Sequence, residues 1–93
     1  MNTKQTIRRL IIAAAAVGST AAIAGPTCTQ EPRTAWMTPE QMQQRIYDAG
    51  YAIKKFKVTD GNCYEIYGHD KRGGRVEIYY NPVDGSEVRR KTS

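Results

Sequence analysis

The sequence predicts an α+β fold, with one amphipathic helix packed on a three- or four-stranded antiparallel β-meander. A fully signed helix start occurs at Thr38, and the residues after Gly50 alternate apolar and polar at a period of two. Short clusters of Gly, Asn, Asp and Pro separate those alternating runs. Helices repeat every ~3.6 residues and strands every ~2, so the change of period marks a change of element.

The helix signals are local and mutually consistent. Thr38 is a good N-cap, Pro39 suits the first helical position, and Gln41 completes a capping box. Met37 and Met42 occupy the two positions of a hydrophobic staple. Met42, Ile46 and Ala49 fall on one stripe, and Gly50 is a usual helix stop. Such a helix needs a sheet to cover.

The following residues supply it. Tyr51 to Val58 reads as a first strand closed by Asp60-Gly61-Asn62, and Cys63 to Gly68 as a second. Arg75 to Tyr80 is a third, and Glu87-Val88-Arg89 adds a short fourth after the turn at Asn81-Pro82-Val83-Asp84-Gly85. Tyr64, Ile66, Val76, Ile78 and Tyr80 face inward; Cys63, Glu65, Tyr67, Glu77 and Tyr79 face the other way. One packed face and one wet face is the mark of an antiparallel sheet, and short connections make consecutive strands neighbours.

Residues 1–24 read as a secretory signal peptide, 25–37 as an extended lead-in, and 38–93 as the folded domain. Lys4, Arg8 and Arg9 precede the Ala-rich apolar run Leu10 to Ile23, and Ala22-Ile23-Ala24 offers a cleavage site. The run is interrupted by Gly18-Ser19-Thr20 and falls short of the ~20 apolar residues of a membrane span. Cleavage after Ala24 implies a periplasmic or secreted protein with no membrane attachment. It also removes three of 14 cationic residues, leaving 11 against nine acids, so the mature net charge drops from +5 to +2. No basic stripe remains to suggest nucleic acid.

In an oxidising compartment Cys28 and Cys63 read as one disulfide, a staple well suited to a domain this small. Such a bond would lay the lead-in across the outer face of the sheet, since Cys63 shares that face with Glu65 and Tyr67. A reactive Cys63–His69 pair is the disfavoured alternative.

No catalytic or cofactor motif is present: no nucleophile elbow, no HExxH, no phosphate loop and no CxxC. No enzyme activity, metal or cofactor is therefore expected. His69 reads as a solvated histidine at a loop lip, and Trp36 as a plug at one end of the core. Lys54, Lys55 and Lys57 on the edge strand discourage edge-to-edge pairing. Tyr67 and Tyr79 lie on the outer face. Cross-strand packing is their plainer role and partner binding their functional one.

From Thr38 onward the order of motifs resembles the PepSY domain of secreted-peptidase propeptides and small envelope proteins. The likeness lies in the Pro39-Glu40 helix start, Asp48-Ala49-Gly50-Tyr51, Gly61-Asn62-Cys63-Tyr64-Glu65-Ile66, Gly74 to Tyr80, and the closing Asn81 to Val88. Asn81 departs from the aspartate frequent there. The resemblance implies a helix on an antiparallel sheet and a protein partner, a peptidase that the domain binds and restrains. The alternative is a domain binding a small ligand, a metal or an envelope component.

Overall fold

Thr38 opens the helix as its neighbours dictate. Its hydroxyl accepts from the Gln41 backbone N–H at 3.1 Å, while its own N–H donates to the Gln41 side chain at 2.8 Å. Two of the backbone donors left unpaired at a helix start are thereby satisfied. The computed structural model describes residues 25–93. The export-signal reading of residues 1–24 lies outside them. Among the described residues the order is a 3₁₀ turn at Arg33–Ala35, α1 (Pro39–Asp48), β1 (Ala52–Val58), β2 (Tyr64–His69), β3 (Arg75–Tyr80) and β4 (Glu87–Thr92). No helix among them is long and apolar enough to cross a membrane.

The four strands form one antiparallel sheet in the order β1-β2-β3-β4, the expected meander. Its inner face buries Tyr64, Ile66, Val76, Ile78 and Tyr80 against Met42 and Ile46 of α1. Fully burying a side chain of the Ile or Met kind stabilises by roughly 1.5–3 kcal/mol, so these two residues fix the helix on the sheet. Trp36 closes one end of the core as expected, its ring edge-on to Tyr64 at 5.5 Å. The Tyr64 hydroxyl, carried into this apolar setting, donates to the Met37 carbonyl at 2.6 Å.

Four details differ from the sequence reading. Ala49 is exposed, because it is the C-cap of α1, and the helix buries Met42 and Ile46 alone. The lead-in is broken by the turn at Arg33–Ala35, which the Pro32 carbonyl closes by accepting from Ala35. β4 runs on to Thr92, with every residue exposed and an irregularity at Val88. β1 carries a bulge, since Ile53 pairs with Gly68 but the next paired residue is Lys55, opposite Tyr67. A bulge bends an edge strand and spoils it as a template for pairing, so it reinforces the lysines of that edge.

Gly68 makes the bulge possible. A Cβ there would lie 2.0 Å from the Ala52 carbonyl oxygen, so the β1 backbone reaches its position only over a glycine.

Candidate functional site

The strand register arranges the outer face in rows. Lys57, Glu65, Tyr79 and Arg89 stand side by side across the four strands, and Lys55, Tyr67, Glu77 and Lys91 form the next row. His69 and Arg75 pair in the row beyond. Carboxyls and tyrosines thus occupy the two central strands, and cations occupy both edges.

The lead-in covers the centre of the first of these rows, over Glu65 and Tyr79. Cys28 and Cys63 are joined, with Cα atoms 5.1 Å apart, tying the lead-in to the start of β2. Around this bond Cys28 N–H donates to the Gly61 carbonyl at 2.9 Å, and the Asn81 side-chain amide donates to the Cys28 carbonyl at 3.1 Å. The approach is close enough that a Cβ on Gly61 would lie 2.1 Å from the Pro26 carbonyl oxygen. The expected course of the lead-in across the outer face is therefore observed.

That course corrects one expectation. Tyr79 was placed on a wet face, yet it is only 6 % exposed. Its ring lies beneath Gly25, where an added Cβ would meet it at 2.8 Å. Tyr67, one row away, stays 38 % exposed with the Lys55 ammonium 5.9 Å from its ring centre. The two tyrosines share a face but not an environment: one is packing, the other is surface.

Beneath the lead-in lies a carboxyl pair that the alternation alone did not reveal. Glu65 is 2 % exposed and sits diagonally across the β2–β3 ladder from Glu77. Burial raises the Glu65 carboxyl above its ordinary range, and its hydrogen bond to Glu77 raises it further. Glu77 is held below its ordinary range, chiefly by accepting that bond, with help from the Tyr79 and Tyr67 hydroxyls. The two directions oppose: Glu65 is pushed toward its neutral form and Glu77 toward its charged form. Tyr79 donates to Glu77 Oε2 at 2.9 Å, and Lys57 Nζ stands 3.8 Å from Glu65 Oε1. Burial first, and then the nearby carboxyls, push the Tyr67 hydroxyl up to about 12; Tyr79 is raised by the same causes.

Paired carboxyls are the machinery of acid–base catalysis when a substrate fits between them. Here Glu65 is sealed from solvent beneath the lead-in, at 2 % exposure. Among the described residues no group of three or more His, Cys, Asp or Glu side chains is placed to hold a metal. His69 ends β2, and Asp70 beside it is occupied with the turn, accepting from Gly74 at 2.8 Å and Arg72 at 2.9 Å.

The part of the face that the lead-in leaves uncovered is a shallow groove of about 480 Å³. Tyr67, Gly68, His69, Arg75 and Glu77 line its floor, with Lys54 on one side and Lys91 to Ser93 on the other. Lys54 reaches it because the bulge lies at that residue.

No curated protein and no solved structure matches the chain. A family model does, over residues 8–91, nearly the whole length. The chain belongs to the family of peptidase propeptide and YPEB domains, the PepSY group.

Proposed function

We propose that the mature chain, from Gly25 onward, is an exported, non-catalytic module that binds a peptidase and restrains it. Membership of a peptidase-propeptide family is the observation that carries this reading. The disulfide fits an oxidising compartment outside the cytoplasm. The half-open outer face supplies a surface: Tyr67 is exposed there, and tyrosine offers a partner apolar area together with a polar tip. Tyr79 serves the same surface from below, by holding Glu77 in place. The bulged, lysine-bearing β1 edge is poorly suited to backbone pairing with a partner, which favours the face over that edge.

The test is enzymatic. Purified mature domain is added in excess to the exported peptidases of the same cell, and initial rates are followed on a chromogenic peptide. At least one peptidase should slow, and Tyr67→Ala should weaken that inhibition about tenfold, the scale of a modest interface hot spot. If no exported peptidase slows, the restraint reading fails.

A further inference from the structure

The open groove on the outer face has a charge pattern that selects its occupant. Lys54 stands on β1, Arg75 on β3 and Lys91 on β4, all exposed, with the Tyr67 ring and the Glu77 carboxylate between them. Neighbouring strands lie ~4.8 Å apart, so β1 and β4 are separated by three spacings, about 14 Å. This is too wide for a single phosphate to satisfy both edges. It matches an extended chain, which rises ~3.4 Å per residue and carries side chains four residues apart about 13 Å from each other on one face.

We infer that this groove takes an extended acidic segment of the protein partner, lying across the strands with carboxylates at positions i and i+4. One carboxylate meets Lys54; the other meets Lys91, with Arg75 alongside. The residue at i+2 then falls over Tyr67 and Glu77, where the ring favours an apolar side chain and the carboxylate repels an acidic one. Glu77 accepts from the Tyr79 hydroxyl at 2.9 Å, a bond that favours its charged form, so it acts as a negative post in the middle of a positive trough.

The groove also bears marks of construction beyond a scatter of surface charges. The bulge at Lys54 turns an additional cation toward it, and that bulge depends on Gly68, whose missing side chain admits the Ala52 backbone. Among the described residues Gly25 lies against the Tyr79 ring, while Tyr67 in the next row is exposed.

This inference rests on the protein-binding reading above, and its test uses the disulfide-bonded domain alone. Three blocked peptides are titrated into isotope-labelled protein and followed by NMR: Glu-Ser-Leu-Ser-Glu, Gln-Ser-Leu-Ser-Gln and Glu-Ser-Glu-Ser-Glu. The first should shift the amides of Lys54, Tyr67, Arg75 and Lys91 in a saturable, salt-sensitive way. The second should bind at least fivefold more weakly, and so should the third despite its additional charge. Lys54→Gln and Lys91→Gln should each weaken the first peptide at least threefold with an otherwise unchanged spectrum. Tighter binding of the three-acid peptide overturns the spacing argument. Inorganic phosphate shifting the same amides equally well overturns the peptide in favour of a simple anion. Co-sedimentation with phosphatidylglycerol vesicles in the absence of peptide binding overturns it in favour of a membrane surface. If the peptide binds as expected while no peptidase is slowed, the groove stands and the restraint reading falls. If a peptidase is slowed equally by wild type and by Lys54→Gln/Lys91→Gln, the reverse holds.

Discussion

Asn81 donates its side-chain amide to the backbone carbonyl of Cys28, a residue 53 positions earlier in the chain. The same side chain accepts from the Val83 N–H at 2.8 Å and so shapes the β3–β4 turn. Only a group with both a donor and an acceptor can do both, which gives a physical reason for asparagine at this position. The turn half of the function needs an acceptor alone. The lead-in half needs the donor.

Asn81→Asp should therefore destabilise the domain by about 1–2 kcal/mol, since it removes one hydrogen bond and sets a carboxylate against a carbonyl oxygen. In a domain of this size the thermal midpoint should fall by roughly 4–8 °C per kcal/mol. The loss should shrink at acid pH, where a protonated Asp regains a donor. Thermal melts at neutral and acid pH check this, and a deficit independent of pH counts against the donor role.

The carboxyl pair predicts a pH dependence with two limbs. Glu65 titrates above its ordinary value in the folded protein, so its contribution is present at low pH and lost as pH rises through that raised value. Glu77 titrates below its ordinary value, so its contribution is present at higher pH and lost as pH falls through that lowered value. Glu65→Gln keeps a neutral donor beside Glu77 and removes the first limb. The variant should gain on wild type as pH rises from the ordinary carboxylate range through the raised Glu65 value, and melting curves that stay parallel over that rise would count against a raised Glu65 carboxyl.

Reducing the disulfide should release the lead-in selectively. A loop of this length contributes ~3–4 kcal/mol in the chain-entropy model. Amide exchange should accelerate at Gly61 to Cys63 and around Tyr79, where the lead-in packs, more than at Ile66 and Ile78 under α1. Cys28→Ser should reproduce the pattern. Uniform acceleration across the sheet would show that the staple stabilises the whole domain without a separable lead-in.

Gly68→Ala should cost upward of ~2 kcal/mol, because the new methyl meets the Ala52 carbonyl oxygen and not a yielding side chain. It should also disturb the bulge, so the NMR signal of Lys54 should move together with those of Ala52 and Ile53. An unchanged midpoint would mean that β1 retreats freely at that point.

The fold was legible because its signals are local. The Thr38–Gln41 box, the alternation of Val76, Ile78 and Tyr80, and the Gly-rich turns each depend on residues a few positions apart. The disulfide was legible from pairing and compartment, and with it the path of the lead-in. The burial of Tyr79 was not, because alternation assigns a residue to a face without saying what covers that face. The nearness of Glu65 and Glu77 depends on register, which places them on a diagonal and not directly opposite. The bulge at Lys54 escaped for a related reason: three lysines around Phe56 read as an even edge, and only the partner strand reveals the additional residue.

The meander and the lead-in imply an order of assembly. Each strand pairs with its neighbour in sequence through a loop of five or six residues (59–63, 70–74, 81–86), so the sheet can zip by short-range closures, which are fast. The lead-in is different: its partners, at Gly61, Cys63 and Asn81, lie 33 to 53 residues away and exist as a docking surface only after β2 and β3 have met. It must therefore dock late, and an oxidant would meet two thiols already brought together by the completed sheet.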